Sequence, residues 1–76
     1  MPHLVVKLLA GRSDEQKRRL ADALTKAVIA ALDSEEKSVS IAIEDVAPRD
    51  WSTKVYEPDI VGNAAHIYKQ SGYTVR

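Results

Sequence analysis

Apolar and polar positions alternate along the start of the chain and then change period. Between Pro2 and Leu9, residues Leu4, Val6 and Leu8 fall on one side of an extended backbone and His3, Val5, Lys7 and Leu9 on the other. Both sides carry apolar residues, which predicts a strand covered on two faces. Gly11-Arg12 interrupts it. Ser13, followed three positions later by Gln16, reads as a capping box, and Asp14 and Glu15 place negative charge where a helix dipole favours it, so a helix is predicted to start at Asp14. Leu20, Leu24, Ala27, Val28, Ala31 and Leu32 then recur at helical spacing, while Arg18, Arg19, Asp22 and Lys26 lie mostly off that stripe. Residues 33–38 are polar and turn-like, after which Val39, Ile41 and Ile43 alternate with Ser40, Ala42 and Glu44 as a second strand. A crossover helix of this length makes the two strands parallel and the connection right-handed. The predicted class is α/β (α+β), a β-α-β protomer with a two-stranded parallel sheet.

The pattern loosens beyond Pro48. Pro58 suits the first turn of a helix, and Ile60 or Val61, Ala64, Ile67 and Tyr68 follow at roughly helical intervals up to Ser71-Gly72. This predicts an extra C-terminal helical segment, weakened by Gly62 and Asn63. Tyr73-Thr74-Val75 is predicted to be a short edge strand.

Composition narrows the function. The 76 residues form one domain, 1–76, in which 11 basic side chains balance 11 acidic ones, so there is no electrostatic footprint for nucleic acid or an anionic membrane. Cysteine is absent, and His3 and His66 are too few and too far apart in sequence to suggest zinc; no metal and no cofactor are expected. Without a membrane-length apolar run or a charged leader, the expected location is cytoplasmic. Domains below about 70–80 residues rarely bury enough apolar surface alone, and two strands with one helix do not make a stable sheet, so self-association is expected.

Candidate chemistry sits at the start. Pro2 directly follows Met1, and removal of Met1 turns the Pro2 nitrogen from an amide into a secondary amine. A terminal amine titrates at about 7.7–8.0, and burial or a nearby cation lowers that value. Neutral Pro2 can then take up and return a proton. Arg12, just past the same strand, is the candidate cation and a forked ligand for a carboxylate; otherwise it is a solvated residue before a helix cap. Trp51 is a candidate pocket wall, although a lone tryptophan is more often core. Arg49 is a further candidate anion ligand, or else a surface arginine. Ser13 is a cap, with no base placed by sequence to activate it as a nucleophile.

Met1-Pro2, the short apolar strand, Gly11-Arg12-Ser13-Asp14-Glu15-Gln16-Lys17, the long helix, Leu32-Asp33 and the strand from Ser38 to Val46 together resemble the 4-oxalocrotonate tautomerase family of the tautomerase superfamily. The resemblance covers about the first fifty residues. It implies a dimer whose four-stranded sheet carries two long helices, with Pro2 as the base, Arg12 on the substrate carboxylate and Trp51 at the aromatic pocket wall. At Ser40 the chain departs from hexameric members, which have there a second arginine that polarises the substrate oxygen. The longer tail, with Pro48, Trp51 and Gly72-Tyr73, is similar to a branch of small dimeric bacterial phenylpyruvate tautomerases. A homodimer is therefore expected, with a hexamer as the alternative.

The expected function is cofactor-independent keto–enol isomerisation of a small 2-hydroxy-alkenoate or enol-pyruvate carboxylate. Two rivals are a catalytically idle oligomeric ligand-binding scaffold, which Ser40 favours, and a hydratase or dehalogenase of short unsaturated acids. The second rival needs a carboxylate beside Pro2 to activate water.

Overall fold

Ser13 decides where the long helix begins. In the computed structural model, which describes residues 1–75, its hydroxyl accepts the Gln16 amide proton at 3.1 Å and the Gln16 side-chain oxygen accepts the Ser13 amide proton at 3.0 Å. The capping box read from the sequence is thus closed in both directions. Helix α1 runs from Asp14 to Leu32 and stops at Asp33, whose φ of 56° lies in the left-handed region that aspartate tolerates better than most residues.

Strand β1 (His3–Leu9) pairs in parallel with β2 (Ser40–Val46), in a register running from His3 opposite Ser40 to Leu9 opposite Val46. Registered partners on parallel strands share a face. Leu4, Val6 and Leu8 therefore lie with Ile41, Ile43 and Asp45 on the face that α1 covers, where Lys17 reaches Asp45 at 2.6 Å. His3, Val5, Lys7 and Leu9 share the opposite face with Ser40, Ala42, Glu44 and Val46.

The C-terminal third differs from the sequence expectation. A 3₁₀ turn at Pro48–Asp50 leads into a helix of π type from Ser52 to Val61, so Pro58 lies inside the helix and not at its start. Proline lacks an amide proton and its ring crowds the carbonyl of the preceding turn, and the wider winding makes room for it. The helix ends at Gly62, whose amide donates to the Glu57 carbonyl at 2.7 Å. A Cβ there would stand 2.9 Å from that same oxygen, so the close approach needs glycine. Beyond it, among the described residues, only a 3₁₀ turn at Ala64–His66 is regular. Tyr73 to Val75 do not form the expected edge strand: the Tyr73 ring packs on Tyr56 with centroids 5.9 Å apart, and its hydroxyl accepts the Trp51 indole proton at 3.1 Å. Aromatic contacts hold the tail where a sheet edge was expected to.

Very little of this protomer is interior. Among the described residues only Val55, at 5% exposure, is buried, while Val5 and Leu9 on the open sheet face remain 50% and 42% exposed. The accessible surface is 5996 Å², about 1,400 Å² above the roughly 4,600 Å² of a compact monomer of this mass. The radius of gyration, 13.9 Å, likewise exceeds the ~11 Å of a compact chain of this length. The excess surface is more than the ~800 Å² that a partner loses in a standard stable interface. No helix among the described residues is long and apolar enough to cross a membrane.

Candidate active site

Pro2 stands one residue before β1, half-buried, and its carbonyl accepts the Ser40 amide proton at 3.2 Å. Parallel pairing therefore begins at Pro2 and holds it against the start of β2. Met1 is fully exposed beyond it. While Met1 is attached the Pro2 nitrogen is an amide with no useful basicity; its removal would leave a secondary amine at the strand end.

Arg12 lies at the far end of the same strand. Gly11, with φ of 132°, turns the chain out of β1, and exposed Arg12 borders a cavity of about 180 Å³ with Leu8, Gln16, Lys17 and Leu20. The seven residues of β1, at about 3.3 Å each, keep it more than ~20 Å from Pro2. The expectation that Arg12 supplies a cation beside Pro2 therefore does not hold within one protomer, because an extended strand cannot fold its two ends together.

Trp51, half-buried at the start of the C-terminal helix, borders an open cavity of about 480 Å³ on the sheet face away from α1, together with Val5, Lys7, Val55, Asp59 and Ile60. Its indole is oriented by its bond to Tyr73. Neither Pro2 nor Arg12 of the same protomer borders that cavity. Arg49 is exposed on the turn before Trp51.

Besides the Trp51–Tyr73 bond, two further pairings escape the sequence reading. Lys7 forms an ion pair with Asp59, tying the middle of β1 to the C-terminal helix across the cavity. The hydrogen bond that Lys7 donates to Asp59 raises the Lys7 pKa above its ordinary 10.5; partial desolvation opposes the shift, and the charges of Asp59 and Glu44 add to it. The second pairing joins His3 to Ser40, with Nδ1 2.7 Å from the serine Oγ. Strand alternation puts His3 on the open face, but its partner follows only from the β1–β2 register. Among the described residues no group of three His, Cys, Asp or Glu side chains could hold a metal ion.

A family model described as "Tautomerase enzyme" matches residues 2–55, from Pro2 to Val55. The chain is 41% identical over 73 residues to a probable tautomerase of Xylella fastidiosa, covering 96% of this chain and 89% of that one. It is 36% identical over 74 residues to tautomerase PptA of Cronobacter sakazakii, covering 96% and 97%. Among solved structures it resembles a heterohexamer 4-oxalocrotonate tautomerase from Chloroflexus aurantiacus, with a TM-score of 0.65 and 43% identity over 67% of this chain and 82% of that one.

Proposed function

Since this chain belongs to the tautomerase family and is an isomerase, we propose that it interconverts the keto and enol forms of a small 2-hydroxy-alkenoate or enol-pyruvate carboxylate, without a cofactor and with Met1-free Pro2 as the base. The observation that carries this reading is that the family match begins on Pro2 itself and extends through Arg12 to Trp51 and Val55. Residues of the proposed site thus lie inside the shared region.

Assembly supplies what one copy lacks. Among the described residues the outer edge of β1 pairs with no strand, and a second copy adding there antiparallel gives a four-stranded sheet with two helices. A two-fold axis at Val6 then sets Pro2 opposite Ala10 of the other copy, with the other Arg12 just beyond. Because Trp51, Val55, Asp59 and Ile60 already border the open face of their own sheet beside Val5 and Lys7, the homodimer is the assembly proposed over a hexamer.

In such a site the Pro2 nitrogen takes the proton from the enol O–H, leaving an enolate. As the enolate C–O bond becomes a carbonyl, the electrons of the C=C bond form a C–H bond with the proton delivered from the prolinium. Redox state is unchanged and the base is regenerated. Arg12 holds the carboxylate so that the reacting carbon stays in reach, and Trp51 shields the site from water. The direct test follows the ultraviolet decay of phenylpyruvate enol with protein shown by mass to lack Met1. Rapid decay that Pro2→Ala loses supports the reading; equal rates for the two proteins remove Pro2 as the base.

A further inference from the structure

We propose that His3 donates a hydrogen bond from Nε2 to the substrate oxygen that alternates between enol and carbonyl, and that Ser40 holds the imidazole in the tautomer this requires. The role rests on Pro2 being the base. Removing a proton from either form of the substrate builds negative charge on that oxygen, and a donor fixed in place beforehand lowers the barrier most.

The corner around Pro2 offers such a donor. Ser40 is bonded to both Pro2 and His3 at once: its amide donates to the Pro2 carbonyl at 3.2 Å, and its hydroxyl lies 2.7 Å from His3 Nδ1. Both contacts follow from the register that sets His3 opposite Ser40. If the hydroxyl donates to Nδ1, the neutral ring keeps its proton on Nε2, as a donor without net charge. His3 is exposed at this strand end, so Nε2 has no burial to overcome before meeting a ligand. The Pro2 nitrogen is a main-chain atom at the strand terminus and can be reached from either face of the sheet, including the one that carries His3. The same face continues through Val5 to the cavity bordered by Trp51, which gives an enol with an aromatic or aliphatic substituent an apolar surface beyond its oxygen.

The test combines kinetics with nitrogen-15 NMR of histidine-labelled, Met1-free protein. In the free protein His3 is expected to be protonated on Nε2 and not on Nδ1, and Nε2 is expected to shift when phenylpyruvate is added. His3→Ala is expected to lower kcat on phenylpyruvate enol about a hundredfold with little change in KM. His3→Gln, which keeps an amide donor, should recover part of that loss. Ser40→Ala should lower kcat less than His3→Ala and spread the proton over both ring nitrogens, while Ser40→Thr, which keeps the hydroxyl, should stay near wild type. A proton on Nδ1 in the free protein overturns the proposal, as does a His3→Ala kcat within about twofold of wild type. Pro2→Ala assayed in parallel separates the two assignments. If only Pro2→Ala loses activity, the role of His3 fails and the base stands; if Pro2→Ala keeps wild-type activity, the base assignment fails and the role of His3 fails with it.

Discussion

Pro2 and Arg12 stand at opposite ends of β1, more than ~20 Å apart at about 3.3 Å per strand residue. The proposed base and the proposed carboxylate ligand, so placed, meet on one substrate only if they come from different copies. Wild-type protein is therefore expected to sediment as a dimer at micromolar concentration. A Pro2→Ala preparation unfolded and refolded with an equal amount of Arg12→Ala should regain about a quarter of wild-type activity, since half the dimers are mixed and each mixed dimer has one intact site. No regain in the mixture would show that the two residues do not share a site across copies.

Arg12→Ala alone acts on binding. Loss of a charged partner to a carboxylate removes about 1.5–3 kcal/mol of interaction, which is roughly a tenfold to hundredfold drop in kcat/KM. The drop is expected mainly in KM, with Arg12→Lys recovering part of it. Unchanged kinetics would move the anion site elsewhere, with Arg49 the next residue to substitute.

Pro2 is the proposed base. A positioned general base contributes on the order of a hundredfold or more, so protein that retains Met1 and Pro2→Ala should both lose most of the turnover. With Met1-free wild type, kcat/KM should rise with pH through a single amine titration. A flat profile across the neutral range would point to another base.

The Lys7–Asp59 pair ties β1 to the C-terminal helix. Since the folded state raises the Lys7 pKa, its contribution to stability is fully present below the unfolded value of about 10.4 and is lost as pH rises through the folded value. The wild-type urea midpoint is therefore expected to fall more steeply above about pH 10 than that of Asp59→Asn, which lacks the pair at every pH. Parallel curves for the two proteins would mean the pair does not hold the segment. Amide exchange over residues 52–61 should be faster in Asp59→Asn.

Ser13→Ala removes the hydroxyl that accepts the Gln16 amide proton, while the Ser13 main-chain amide can still donate to the Gln16 side chain. The expected cost is about 1 kcal/mol per protomer, with Ser13→Thr or Ser13→Asp losing much less. Urea unfolding at fixed protein concentration measures it. A loss below a few tenths of a kcal/mol would show that water caps α1 equally well.

Local chemistry settled the first two-thirds of the chain. The cap at Ser13, the helical spacing from Leu20 to Leu32 and the alternation on either side of α1 each involve residues a few positions apart, and each predicts an element the structure contains. Pro2 as a candidate base was legible for the same reason, since its chemistry depends on its neighbour Met1. Tertiary structure alone decided what involves distant partners. Lys7 meets Asp59, Trp51 meets Tyr73 and His3 meets Ser40 because the sheet register and the fold of the tail bring them together, and no periodicity along the chain encodes those pairings. Pro58 shows the same limit: its local preference for a first turn yielded to a helix that packs Val55 as the buried residue, and the wider winding absorbed the ring. The distance between Pro2 and Arg12 belongs here too. Sequence puts the two residues at either side of one strand, but only the extended geometry of β1 sets them so far apart that the proposed site takes one from each copy.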